Sequence, residues 1–186
     1  MIRSFIAFEL PQRAKETLVR IQEQMKRAGS GIGWVKPGGI HLTLNFLGNI
    51  QETQVDELSQ AMKESAAGFG PLELAFSEAG AFPGMKNPRV IWVGLMGQTD
   101  RLAAIKKRLD ELLQPLGFEP EQRSFKPHLT LGRVKKKINP ALLSAVISEV
   151  EIDEKKPFVV SHLILYKSQL FPDGAEYTPL ATVGLG

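Results

Sequence analysis

Apolar residues recur along the chain in two rhythms, one of two residues and one of three to four, which mark strands and helices respectively. The first stretch, Ser4 to Leu10, reads as a strand, and the next as a helix carrying Ala14, Leu18, Ile21 and Met25 on one face. The glycine-rich GSGIG ends that helix. From Trp34 the run WVKPGGIHLTLNFLG alternates as a strand. Val55, Leu58 and Met62 then mark a second helix, closed by Gly68, Gly70 and Pro71. Strands are expected at Leu72 to Phe76 and Val90 to Leu95, with AGAFPGMKNP between them as a turn. A third helix points Leu102, Ile105, Leu109 and Leu112 inward.

The remainder repeats this order. SFKPHLTLGRV reads as a strand, and a helix begins after Asn139-Pro140 with Leu142, Leu143, Val146 and Ile147 apolar. PFVVSHLILYKSQL reads as one strand, and a short final strand runs near Glu176 to Val183. Helices and antiparallel strand pairs are thus interspersed, and no Gly-x-Gly-x-x-Gly or Walker-type loop opens any helix, which gives an α+β class and excludes a dinucleotide-binding Rossmann fold.

At 186 residues the chain suits one domain of two lobes, 1–186, that buries roughly 70% of its unfolded surface without staples. There is no cysteine, so disulfides, thiolate metal sites and cysteine nucleophiles are all excluded, a pattern that fits the cytoplasm. No apolar run is long enough for a bilayer, and the opening MIRSFIAFEL reads as a strand and not a signal peptide. A net charge of +3 is too small for dedicated duplex binding. The clusters Lys106, Lys107, Arg108 and Lys135, Lys136, Lys137 read as a solvated helix face and a loop.

One duplication changes the picture. His-Leu-Thr-Leu occurs at 41–44 and again at 128–131, each after a Lys-Pro pair and before a helix. In a strand, His41 and Thr43 share one face while Leu42 and Leu44 take the other, and His128 with Thr130 repeats the arrangement. The histidine and hydroxyl then stand about 6.6 to 7 Å apart along the strand, a spacing that suits a tetrahedral anion. Two histidines are what opening a phosphodiester needs, one to take a proton from the attacking oxygen and one to deliver a proton to the departing oxygen. The anion favours protonation of one ring while the other stays neutral, so the pair titrates as a unit. A single His-x-Thr is an ordinary surface or core feature. Two identical copies, using two of the three histidines in the chain, point to catalysis.

These motifs, with RSFIAFEL, PRVIWVG and LYKSQL in order along nearly the whole chain, resemble the RNA 2′,3′-cyclic phosphodiesterases, historically called 2′-5′ RNA ligases, of the 2H phosphoesterase superfamily. The resemblance implies a bilobal α+β fold of two pseudo-symmetric halves, sheets lining a central cleft and helices outside. It also implies no metal and no cofactor, and hydrolysis of a terminal 2′,3′-cyclic phosphate of RNA to a 2′-phosphate. By that likeness His41 is the proton donor to the 3′ oxygen and His128 the base that activates water. The implied partner is RNA with a 2′,3′-cyclic phosphate end, tRNA halves included, or a nucleotide 2′,3′-cyclic phosphate, met by a monomer away from any membrane. The same motifs admit three other readings: the reverse ligation, hydrolysis of small cyclic nucleotides such as ADP-ribose 1″,2″-cyclic phosphate, and a non-catalytic RNA or nucleotide binding module.

Thr43 and Thr130 are candidate phosphate contacts, as is Arg133, where the resembled family commonly has arginine. Strict alternation puts Arg133 on the wrong face, so a kink at Gly132 is required. Arg3, Phe5 and Ala7 share a face of the first strand, as do Tyr166 and Ser168 of the late strand, so Phe5 or Tyr166 is placed to stack on a base. Asn45 stands where the family often carries lysine or arginine. His162, with no threonine two residues on, is structural, and Trp34 and Trp92 are packing residues.

Overall fold

The alternation of elements closes into two antiparallel sheets, seen in a computed structural model that describes residues 1–152, 156–172 and 174–186. Strand β1 (Ile2–Phe8) and helix α1 (Gln12–Met25) lead to β2 (Ile32–Trp34) and β3 (Leu42–Ile50). Helix α2 (Val55–Ala66), strands β4 (Leu72–Phe82) and β5 (Val90–Gly97), helix α3 (Thr99–Leu113) and β6 (His128–Val134) follow. Helix α4 (Pro140–Ser148) and strands β7 (Phe158–Val160), β8 (His162–Phe171) and β9 (Gly174–Gly184) complete the chain. One sheet has the order β3-β1-β8-β9 and the other β2-β6-β5-β4-β7.

Two runs that read as single strands are each divided between the sheets. In WVKPGGIHLTLNFLG, Trp34 ends β2 in the five-stranded sheet, a 3-10 turn at Pro37–Gly39 breaks the alternation, and β3 starts in the four-stranded sheet. Proline's missing N–H and fixed φ stop the ladder there. PFVVSHLILYKSQL is divided at Ser161, with no proline at the break, β7 pairing with β4 and β8 with β1. GSGIG is not all loop, because Ile32 and Gly33 pair with Val134 and Arg133 of β6. β4 runs past the expected Phe76 to Phe82 across an irregularity, so the turn begins only after Phe82. The last strand is eleven residues, not short.

The helices bury the stripes their periodicity marks. Ala14, Leu18, Ile21 and Met25 of α1, Leu58 and Met62 of α2, and Leu102, Ile105 and Leu109 of α3 join one contiguous core that reaches both sheets. Leu113 is the buried fourth position of α3, with Leu112 only partly covered. Asn139 caps α4, its side-chain oxygen accepting from the N–H groups of Ala141 and Leu142, while Leu142 itself is exposed.

Lys107 and Arg108 of the first basic cluster are exposed, as expected, but Lys106 is not. Lys106 is 7% exposed and contacts both carboxylate oxygens of Asp110 at 2.6 Å. Arg108 donates to the carbonyls of Glu64 and Ala67. Lys135, Lys136 and Lys137 are exposed beyond β6. Among the described residues no helix is long and apolar enough to cross a membrane.

Candidate active site

Leu42, Leu44, Leu129 and Leu131 are buried, whereas His41, Thr43, His128 and Thr130 are half-buried on the opposite faces of their strands. His41 immediately precedes β3, and its ring lies 4.5 Å from that of Phe5, nearly parallel, with the Tyr177 ring edge-on at 5.1 Å. Burial pushes the His41 pKa down to about 4; a hydrogen bond to the Gly39 backbone opposes that and the charge of Lys15 reinforces it.

His128 opens β6 and is held by a hydrogen bond. Its Nδ1 lies 2.7 Å from the carbonyl oxygen of Lys126, which can only accept, so Nδ1 carries the proton and Nε2 keeps the lone pair of the neutral ring. Phe82 meets this imidazole edge-on at 5.0 Å and stacks on Trp92, also at 5.0 Å. Trp92 therefore serves this face rather than the core: it pairs with Thr130 across β5 and β6, while its neighbours Ile91 and Val93 are core residues. Its ring lies flat where Gly80 has no side chain, since a Cβ there would come within 2.5 Å of the indole.

A bulge supplies the kink that Arg133 requires. Trp92 pairs with Thr130 and Ile91 with Gly132, leaving Leu131 as the extra residue of β6. The phase shifts by one: Gly132 joins the side of the core residue Ile91, and Arg133 joins the side of His128 and Thr130. Arg133 and Arg3 both act on the Tyr177 hydroxyl, whose pKa burial raises and these two cations lower. Tyr177 thus links the motif of one sheet to the motif of the other, and β3 touches β6 directly.

The four-stranded sheet gathers several expected residues on one face. Phe5 pairs with Tyr166, Ala7 with Thr43, and Ser168 with Tyr177. Phe5, however, is 3% exposed beneath His41, so it has no surface to offer a base and instead supports the imidazole. Tyr166 is half-buried, its pKa raised to about 12 by burial and by Glu9. The ring exposed on this face is Phe46, 74% exposed and paired with Phe5. Asn45 does not face the site. A bulge at Leu44 turns it inward beside Ile6, and it donates to Asp110 at 2.7 Å. His162 is exposed, its ring 2.8 Å from the Ser161 hydroxyl. Trp34 packs on the core as expected.

Tyr177, Phe82, Phe46 and Trp92's part in the site escaped the sequence reading. Tyr177 carried one signal, alternation in the last strand, but nothing in the sequence says that β9 lies beside β8 in this register. A cavity of about 200 Å³ opens beside His41, lined by Glu9, Lys15, Tyr166, Tyr177 and Pro179 among others. Among the described residues, no three of His, Cys, Asp or Glu gather as a metal-ligand set.

This architecture, two antiparallel sheets with a His-x-Thr on each, is that of the bilobal α+β phosphoesterases. A crystal structure of the Thermus thermophilus protein TT0787 superposes with a TM-score of 0.80 at 27% identity, covering 98% of this chain and 97% of that one. Escherichia coli LigT in its apo form gives 0.76 at 22% identity over 98% and 96%, a likeness of fold. The chain belongs to the LigT-like phosphoesterase family, whose model matches twice in tandem, at residues 8–92 and 93–177, in keeping with the duplication. A Methanothermobacter thermautotrophicus protein named RNA 2′,3′-cyclic phosphodiesterase is 32% identical over 179 residues, 96% of each chain. One of the same name from Methanocaldococcus jannaschii is 35% identical over 176 residues, 95% of this chain and 96% of its own.

Proposed function

We propose that this protein is an RNA 2′,3′-cyclic phosphodiesterase that hydrolyses a terminal 2′,3′-cyclic phosphate to a 2′-phosphate by two-histidine acid–base chemistry. The observation that carries the reading is the repeated arrangement: His41 with Thr43 and His128 with Thr130 stand half-buried opposite buried leucines, and His128 donates its Nδ1–H to the Lys126 carbonyl at 2.7 Å. Nε2 of His128 is thereby left for the substrate. Relatives of that name along almost the full length support the substrate class.

In this mechanism His128 takes a proton from water as the water oxygen bonds to phosphorus. The bond from phosphorus to the 3′ oxygen breaks, and His41 protonates that oxygen. A ring held down to about 4 is a strong acid once charged, and the anionic phosphodiester is what charges it by raising its pKa in the complex. Thr43, Thr130 and Arg133 hold the phosphoryl oxygens, where charge-assisted donors stabilise the transition state. Tyr166 and Ser168 line the nucleotide side. The reading takes the protein as a cytoplasmic monomer acting on RNA ends, tRNA halves included.

Purified protein with excess EDTA is expected to open a 2′,3′-cyclic phosphate end and leave a 2′-phosphate, identified by phosphorus NMR. His41→Ala and His128→Ala should each lose about 10²- to 10⁴-fold in rate while still folding. A cyclic substrate with sulfur at the bridging 3′ position assigns the roles, because a thiolate leaves without an acid and should restore His41→Ala but not His128→Ala. Full activity of either variant on the natural phosphate overturns the proposal.

A further inference from the structure

Gln22 of α1 is 4% exposed in a helix face otherwise given to apolar residues. Its Nε2 donates twice, to the carbonyl of Val35 at 2.9 Å and to that of Leu131 at 2.8 Å. Leu131 is the last residue of the second motif, and Val35 lies in the segment that joins β2 to the first. Leu131 is the extra residue of the bulge that turns Arg133 to the side of Thr130 and His128. Val35 leads into the Pro37–Gly39 turn, which directly precedes Ile40 and His41. The Val35 N–H also donates to the Leu131 carbonyl at 2.9 Å, so the two segments and the one amide form a closed set of three bonds. Burying an amide is costly unless its donors are paired, and both N–H donors of the group are used.

We infer that Gln22 is a positioning residue that sets the two histidine motifs in register, holding the bulge that aims Arg133 and the turn that seats His41. It touches no substrate and acts through backbone carbonyls. The inference rests on the phosphodiesterase reading for its effect on rate, but not for its effect on geometry. Removing the donor frees the Leu131 bulge to slip, and a small displacement in such a site costs rate far more than binding.

The test compares Gln22→Met, which keeps length and loses both donors, with Ile21→Val, a core truncation on the same helix that leaves the amide intact. Gln22→Met should lower kcat on a 2′,3′-cyclic phosphate about 10- to 100-fold with KM nearly unchanged. In the same variant the ring NMR signals of His41 and His128 should both shift while that of His162 stays, and Ile21→Val should do neither, whatever its loss of Tm. An unchanged kcat in folded Gln22→Met, or either histidine signal unmoved, overturns the inference. If the wild-type protein turns over no cyclic phosphate, the functional reading fails and the ring signals alone decide the clamp.

Discussion

The His41 imidazole lies on the Phe5 ring at 4.5 Å with 23° between their planes, so the residue that best supports the first histidine is an aromatic four positions into the chain's opening strand. This contact excludes water from one side of the imidazole, and exclusion of water is the largest cause of its lowered pKa. By NMR, His41 is expected to titrate near pH 4 in the free protein. Phe5→Leu should move it back toward 6.5, and inorganic phosphate should raise it in the wild type. A His41 that titrates normally and ignores phosphate would show a wet site.

The same shift makes stability depend on pH. The unfolded chain binds a proton at His41 near pH 6.5, and the folded chain only near 4, so stability is full above 6.5 and declines as pH falls through 4. The loss attributable to this ring is about 3 kcal/mol at most. Urea unfolding at pH 7 and pH 4 should show a steeper acid loss in the wild type than in His41→Gln, where no such proton is taken up. Equal losses in the two proteins would remove the coupling.

Arg133 reaches the other motif through its field at the Tyr177 hydroxyl. Arg133→Met should raise the Tyr177 pKa further, read by ultraviolet titration of a chain with only two tyrosines. Loss of a charge-assisted bond to phosphate should cost about 1.5–3 kcal/mol, roughly 10- to 100-fold in kcat/KM. An unaltered Tyr177 titration would separate Arg133 from the His41 side.

Phe46, exposed on the face that carries Phe5, is the available stacking ring. Phe46→Ala should raise KM for an RNA oligonucleotide by an amount matching about 1–3 kcal/mol of stacking, with kcat little changed. A folded variant with an unaltered KM would leave base contact to Tyr166 instead.

How far the sequence could be read is seen at Arg133 and Asn45. The period of two assigns a face correctly while a strand is regular, as at His41 to Leu44 and His128 to Leu131. It fails at a bulge, because one extra residue reverses every face beyond it. The bulge at Leu131 brings Arg133 to the site and the one at Leu44 takes Asn45 away from it. Phe5 illustrates a different limit: alternation placed it on the right face, but its burial depends on what His41 and Tyr177 lay over it.

The linear order of residues determined the α+β elements, the buried leucines and the pairing of each histidine with a threonine, since these follow from spacing within one strand or helix. Tertiary structure decided which sheet each half-strand joins, where Tyr177, Trp92 and Gln22 stand, and how dry His41 is. Those depend on groups far apart in the chain meeting at close range, and burial and electrostatics are set by such neighbours rather than by spacing along the backbone.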